Sequence, residues 1–205
     1  MKALVRPPRL LRQVYPGAVW RMPAADKTIY LTFDDGPVPG VTTAALAVLE
    51  QFGIKATFFC VGDNVQKHPE IFEQIKAAGH ATGNHTFNHA DGWKYTRMKY
   101  LRNVQLCAAE FQSALFRPPY GHLRRSQFNA ISKHYKVIMW DVLTCDFDVK
   151  LDGETCLQLA LEHTRNGSII VFHDSEKAAP RMLYALPRYI ETMLRDGWKF
   201  EVITG

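Results

Sequence analysis

Two adjacent carboxylates, Asp34 and Asp35, are the first residues in this sequence whose types and spacing suit chemistry. They close a β-branched, aromatic run and precede Gly36 and Pro37. Neighbouring side chains at a strand end point in different directions, so one carboxylate can bind a metal ion while the other handles a proton. Asp, Gly and Pro are also turn formers, so the pair alone is equally compatible with an inert turn.

Two histidines, His85 and His89, are separated by three residues. If this segment is helical, both imidazoles lie on one face and can ligate one ion. Together with Asp35 they would form a site of two histidines and one carboxylate, which leaves coordination positions open for water and substrate. The spacing is a weak signal by itself, and two unrelated loop histidines are the alternative.

A third motif runs Arg117-Pro118-Pro119-Tyr120-Gly121. Arginine is a fixed cation that can pair with a carboxylate through two hydrogen bonds. The prolines and the glycine fix the backbone, which suits a main-chain N–H that must meet an oxyanion. The alternative is a rigid turn that carries a surface arginine.

Two further polar residues close apolar runs: Asp141 follows Trp140, and His173 precedes Asp174. A charge at the end of an apolar strand needs a partner or an open position at the mouth of a site. A histidine there can act as a general acid or base near neutral pH. For a lone histidine, a satisfied core position is the more common explanation.

The elements that must position these residues alternate between strand-like and helix-like runs. Strands are predicted over 28–33, 55–61, 80–83, 136–141, 168–172 and 198–203. Helices are predicted over 42–52, 69–78, 96–115, 126–134, 155–165 and 180–195. This alternation predicts a parallel sheet, and about seven units favour a β/α barrel over an open sheet. The polar motifs follow predicted strands, at the end where such a barrel carries its active site.

The motifs together resemble those of the polysaccharide deacetylases, the NodB homology group or carbohydrate esterase family 4. The resemblance extends over about residues 27–203 and rests on five segments: Thr32 to Pro37, His85 to His89, Arg117 to Gly121, Trp140-Asp141 and Val171 to Asp174. It implies an α/β fold, a distorted (β/α)7 barrel of the polysaccharide deacetylase type.

The resemblance also implies a division of roles. Asp35, His85 and His89 would bind a divalent metal ion, most commonly zinc and in some members cobalt or nickel. Asp34 would be the general base that activates the metal-bound water, and Arg117 would hold Asp34 in place.

The remaining roles implied by the resemblance concern the carbonyl oxygen and the leaving amine. The backbone N–H of Tyr120 would stabilise the oxyanion, and His173 would protonate the amine with Asp141 tuning it. The substrate pocket would include Pro118, Trp140 and Val171. Two positions depart from the family pattern: Phe147 stands where tryptophan is usual, and Val171 where leucine is common.

The leading functional hypothesis is a metal-dependent hydrolase that removes N-acetyl groups from a GlcNAc-containing glycan, either peptidoglycan or chitin-like. One alternative is a deacylase acting on another amide, such as a formylated lipid-linked sugar. A second alternative is a non-catalytic glycan-binding module. A carbohydrate substrate is the expected partner under the leading hypothesis.

Composition limits the other possibilities. The 205 residues suit a single catalytic domain, 1–205, with an N-terminal extension over 1–26. The net charge of +5 is modest and the basic residues are scattered, so nucleic-acid binding is not expected. No apolar run is long enough to cross a membrane. Residues 1–20 are basic and interrupted by prolines, which does not match a signal peptide, so a cytoplasmic monomer is the expectation.

Overall fold

The computed structural model describes residues 5–24 and 26–205, and its centre is a curled parallel sheet. Its strands are β1 Thr28–Asp34, β2 Thr57–Cys60, β3 Ala81–Asn84, β4 Leu115–Phe116, β5 Lys136–Val137, β6 Val142–Leu143, β7 Ile169–His173 and β8 Lys199–Phe200. Seven strands follow the order β5-β4-β3-β2-β1-β7-β6, and β8 pairs with the start of β1. All pairings between these strands are parallel, as the sequence predicts.

The two edge strands of this path, β5 and β6, are consecutive in the chain and separated only by residues 138–141. Four residues cannot cross an open sheet, so the sheet must curl until its edges approach. The N-terminal segment reinforces this junction, since Val19 pairs with Ile138 and Arg21 pairs with Ser168. The prediction of a distorted seven-stranded β/α barrel is confirmed.

Helices surround the barrel: α1 Arg9–Val14, α2 Val41–Gln51, α3 Gly62–Lys67, α4 Pro69–Ala77, α5 Arg97–Glu110, α6 Arg125–Ile131, α7 Gly153–His163 and α8 Ala179–Arg195. Three of them differ in a marked way from the sequence-based prediction. The short helices α1 and α3 were not predicted. The helix predicted over 96–115 ends at Glu110, because Phe111 has extended backbone and Leu115 belongs to β4. Within residues 5–24 and 26–205, no helix combines the length and the apolarity needed to span a bilayer.

The two faces of β1 show how the barrel separates its apolar core from its polar end. All seven residues of β1 are buried. Leu31 and Phe33 belong to the main core, which lies between the sheet and the helices. Tyr30, Thr32 and Asp34 alternate with them on the opposite face, inside the barrel. The interior is apolar around Tyr30 and becomes polar at the carboxyl end of the strand, where Asp34 lies.

Candidate active site and metal centre

The carboxyl ends of the strands bring most of the predicted site residues together. Asp34 is the last residue of β1 and lies in register with His173, the last residue of β7. His85 directly follows β3 and Arg117 directly follows β4, and each donates its backbone N–H to a carbonyl of the neighbouring strand at 3.0 Å. The convergence predicted from strand-end positions is therefore confirmed for these four residues.

A three-residue cluster at this end has the composition of a metal site. One ligand atom from each of Asp35, His85 and His89 lies within 4.8 Å of the others. The Nε2 atoms of His85 and His89 lie 3.8 Å and 3.1 Å from Asp35 Oδ1. The other ring nitrogens are held elsewhere, His85 Nδ1 at 2.8 Å from Arg117 O and His89 Nδ1 at 3.2 Å from the Tyr120 hydroxyl. Fixing Nδ1 in this way orients Nε2 toward an ion.

The chemistry of this donor set fits a divalent cation. Asp35 Oδ1 is buried and has no hydrogen-bond donor within the described residues, a deficit that a cation would satisfy. Burial raises the pKa of Asp35, but His89 and His173 outweigh it and hold this pKa below its usual range. Burial lowers the pKa of His85 to about 4. Near neutral pH the carboxylate is therefore ionised and the imidazole of His85 neutral, as metal ligands must be.

The loops at this end of the barrel adopt left-handed backbone at several non-glycine residues. The positions are Asp35 (φ 90°), Thr86 (φ 64°), His89 (φ 55°), Tyr120 (φ 60°) and Cys145 (φ 63°). All five follow strands of the barrel, and such strained residues cluster at functional sites. The segment from His85 to His89 is consequently a loop, and the helical interpretation of their spacing is wrong. The two imidazoles meet because the turns at Thr86 and His89 fold this loop back.

The predicted pairing of Arg117 with Asp34 is confirmed, although through one hydrogen bond rather than two. Arg117 Nη1 donates to Asp34 Oδ1 at 2.7 Å and also to Thr32 Oγ1 at 2.7 Å. Nη2 donates to the carbonyl of Met139 at 3.0 Å, and the guanidinium lies 4.0 Å from the ring centroid of Phe59. Arg117 is fully buried, and its charge is paired with the carboxylate of Asp34. These contacts together hold the guanidinium in a fixed position.

His173 is paired with Asp146, a residue that sequence reasoning missed. His173 Nδ1 lies 2.7 Å from Asp146 Oδ1, and the His173 backbone N–H donates to Oδ2 at 2.8 Å. Burial lowers the pKa of His173, but the charge and hydrogen bond of Asp146 outweigh it and raise this pKa to about 9. The signal in the sequence was Phe147, the aromatic residue in the usual tryptophan position. It directly follows Asp146, and its ring packs edge-on against His173 at 5.2 Å.

The prediction that Asp141 tunes His173 is wrong. Asp141 is fully buried at the opposite end of β7, where Arg165 donates to it at 2.6 and 2.8 Å. Arg12 and Ser168 donate to the same carboxylate at 3.0 and 2.9 Å. The physical reason is that residues 136–141 do not form one strand that ends at the site. The chain leaves β5, passes Asp141 and continues into β6.

The hydrogen bonds that close the turn after Arg117 do not involve the backbone N–H of Tyr120. Gly121 N donates to Pro118 O and His122 N donates to Pro119 O, both at 3.0 Å. Neither bond uses the Tyr120 N–H, which is compatible with the predicted contact to an oxyanion.

The three residues predicted for the substrate pocket occupy different environments. Trp140 lies against Gly121, where an added Cβ would come within 2.6 Å of the Trp140 ring. Pro118 is buried in the turn. Val171 is fully buried two residues before His173 on β7. Their contact with a substrate stays a prediction.

Asp174 is a second buried carboxylate that sequence reasoning did not assign. Its Oδ1 accepts a hydrogen bond from Gly36 N at 3.0 Å, and its Oδ2 accepts one from Thr42 Oγ1 at 2.6 Å. A Cβ at Gly36 would lie 1.9 Å from this carboxylate, so the close approach requires glycine. Burial raises the pKa of Asp174 to about 7. Asp174 therefore positions the loop that follows Asp35.

Three side chains that can ligate one ion lie beside a carboxylate bound by arginine and a cationic imidazole. This arrangement is typical of metal-dependent hydrolases. The comparisons with known proteins give the family. The model of the polysaccharide deacetylase family matches residues 21–137, and the chain belongs to this family of deacetylases, which depend on a divalent metal ion. This agrees with the resemblance of its motifs.

Named relatives and a solved structure support this assignment over nearly the whole chain. A peptidoglycan-N-acetylglucosamine deacetylase from Bacillus cereus is 30% identical over 193 residues, which cover 90% of each chain. A chitooligosaccharide deacetylase from Azorhizobium caulinodans is 33% identical over 77% of this chain and 79% of that protein. A crystal structure of a peptidoglycan N-acetylglucosamine deacetylase matches with a TM-score of 0.88 at 26% identity, covering 96% of this chain and 95% of that chain.

Proposed function

We propose that this protein removes N-acetyl groups from N-acetylglucosamine residues of a peptidoglycan or chitin-like glycan, with zinc as its metal ion. The observation that carries the proposal is the placement of Asp34 opposite His173, at the ends of the adjacent strands β1 and β7. Both residues lie beside the cluster of Asp35, His85 and His89. One residue can accept a proton and the other can supply one, as amide hydrolysis requires. The names of the relatives support the choice of substrate.

Zinc is favoured by the donor set. Two imidazole nitrogens and one carboxylate oxygen suit this ion, and three protein ligands leave room for water and substrate. When bound, such a cation supplies Lewis acidity toward the amide carbonyl and lowers the pKa of water.

Asp34 acts as the general base in this proposal. It takes a proton from the attacking water, whose oxygen forms a bond to the acetyl carbonyl carbon. The buried guanidinium of Arg117 fixes the Asp34 oxygen that it contacts. The backbone N–H of Tyr120 donates to the carbonyl oxygen as negative charge develops there.

His173 acts as the general acid. When the bond between the carbonyl carbon and the sugar nitrogen breaks, that nitrogen takes the proton of His173, and the products are acetate and a free amino sugar. Because Asp146 raises the pKa of His173 to about 9, the imidazole carries this proton at neutral pH before substrate arrives.

The test is acetate release from chitooligosaccharides and from peptidoglycan, with formate release from formylated sugars measured alongside. We expect zinc-dependent acetate release that a chelator abolishes. His173→Asn should be inactive, whereas His134→Asn, at an exposed position on the opposite end of the barrel, should match the wild type. Formate release without acetate release from any GlcNAc-containing glycan would contradict the proposal.

A further inference from the structure

An exposed tryptophan and a half-buried histidine that stacks on it lie near the proposed metal cluster and take no part in the chemistry above. We propose that Trp93, supported by His122, is a binding subsite for a pyranose ring of the glycan next to the sugar being deacetylated. The two residues are called the Trp93 platform below. The inference rests on the proposed function, because it concerns how the same site holds a polymeric substrate.

The geometry of the pair leaves one surface of the indole available. The rings of Trp93 and His122 are stacked, with centroids 3.5 Å apart and planes 8° from parallel. His122 therefore covers one face of Trp93. The residue nevertheless remains 55% exposed, so the face away from His122 is open to solvent.

The Trp93 platform is held rigidly, which distinguishes it from an isolated surface tryptophan. The indole Nε1 donates to the carbonyl of Leu123 at 3.3 Å. Asp91 Oδ1 accepts the backbone N–H of Trp93 at 3.0 Å and lies 3.0 Å from His122 Nδ1. Through these two contacts the Asp91 carboxylate anchors both members of the platform.

Aromatic contacts connect the platform to the metal cluster. His122 lies 5.7 Å from Tyr120, and Tyr120 lies 4.6 Å from the ligand His89, measured between ring centroids. Tyr120 is itself 60% exposed. A glycan whose acetyl group reaches the metal cluster can therefore extend across Tyr120 toward Trp93 without leaving an aromatic surface.

The chemistry of this surface suits a sugar ring. A pyranose presents C–H groups on its faces and hydroxyls on its edges, so a flat indole can cover the apolar face while the hydroxyls stay in water. Because Trp93 is already fixed, binding costs little side-chain entropy. The outer face itself bears no charge, which fits a neutral N-acetylhexosamine residue.

The experiment compares Trp93→Ala, Trp93→Phe and wild type on N-acetylglucosamine and on chitooligosaccharides from the dimer to the hexamer. We expect Trp93→Ala to raise KM for the oligomers by roughly 3- to 10-fold, the range set by one aromatic stacking contact, with kcat nearly unchanged. N-acetylglucosamine, a single sugar that cannot cover both sites, should be unaffected. Trp93→Phe should restore most of the loss. Leu106→Ala truncates an exposed apolar residue of α5 and is the matched control.

Two results would overturn the inference while leaving the proposed function intact: an equal loss on N-acetylglucosamine and on every oligomer, or no change on any of them. Failure of the wild type to release acetate from any oligomer would instead contradict the proposed function. In that case calorimetric titration of the hexamer still tests the platform. Weaker binding by Trp93→Ala than by wild type supports it, and equal or absent binding overturns it.

Discussion

His173 Nδ1 lies 2.7 Å from Asp146 Oδ1, and the backbone N–H of His173 donates to the second oxygen of the same carboxylate at 2.8 Å. A carboxylate held by both ring and backbone cannot turn away from the imidazole. It therefore fixes a proton on Nδ1 and leaves Nε2 as the nitrogen that can serve the substrate. Since Asp146 is fully buried, its charge acts on His173 with little screening.

The first prediction concerns the pH dependence of activity in Asp146→Asn. In the wild type, His173 loses the proton that it donates as pH rises through its raised pKa, so kcat/KM should fall above about pH 9. Without the carboxylate, the pKa of His173 should move down toward its ordinary value of 6.5 or below. The alkaline limb of the kcat/KM profile should shift to lower pH by roughly two units or more.

Two control variants separate Asp146 from its neighbours. Asp148→Asn makes the same change two residues away, and Asp141→Asn makes it at the position that the family resemblance favoured. Both should keep the alkaline limb of the wild type. A shifted limb in Asp141→Asn together with an unshifted limb in Asp146→Asn would contradict the assignment.

The confusion between Asp141 and Asp146 shows where local sequence patterns stop being informative. The apolar run that ends at Trp140 is typical of a strand, and a charge directly after it is typical of a strand-end site. The chain instead continues into β6, and the positive charge that compensates Asp141 comes from Arg12 and Arg165, far away in sequence. Such a partner depends on the closure of the barrel, which no local pattern encodes.

The cluster of candidate metal ligands was predictable for a different reason. Residue types suggested Asp35, His85 and His89 as possible ligands, because few side chains can bind a cation, and the resemblance to the family's motifs singled them out. Their local backbone was not predictable, since the left-handed turns at Thr86 and His89 are uncommon for residues other than glycine. Surrounding contacts impose these turns. One example is Asn103 Oδ1, which accepts the backbone N–H of Phe87 at 2.8 Å.

The second prediction is that Asp141 stabilises the fold. Asp141→Asn removes a fully buried charge from Arg165 and Arg12, which are themselves partly exposed. We expect the free energy of unfolding to fall by about 2 kcal/mol, measured by urea denaturation. Asp196→Asn, which removes a half-exposed partner of Arg195, should change it by less than about 0.5 kcal/mol.

The pH dependence of this stabilisation has a definite sign. Burial raises the pKa of Asp141, but the hydrogen bonds of Arg165 and Ser168 outweigh it and lower this pKa in the folded protein. The stabilisation is thus fully present above the ordinary carboxyl pKa of 3.8 and is lost as pH falls through the folded value. The difference between the wild type and Asp141→Asn should shrink in acid. A difference that grew in acid would contradict this account.

The third prediction separates the base from the metal ligands. Asp34→Asn should lower kcat/KM by about 100-fold or more, because the amide cannot accept a proton from water. It should still bind zinc, since Asp35, His85 and His89 are unchanged. Circular dichroism must show a folded protein, because Arg117 loses its charged partner and keeps Thr32 Oγ1 and Met139 O as acceptors.

The matched control for Asp34→Asn is Asp63→Asn, which removes a carboxylate that pairs with Lys67 on α3. This variant should keep full activity. An Asp34→Asn protein that turns over substrate at the wild-type rate would show that another group accepts the proton.

The fourth prediction concerns metal binding itself and needs no substrate. Added zinc should raise the thermal midpoint of the metal-free wild type, because a ligand that binds only the folded state stabilises it by about 2.7 kcal/mol at 100 times its Kd. His85→Ala removes a buried ligand, so its midpoint should respond weakly and the purified protein should contain little metal. His134→Ala, an exposed histidine outside the cluster, should respond like the wild type. An equal zinc response in His85→Ala and the wild type would place the metal somewhere other than this cluster.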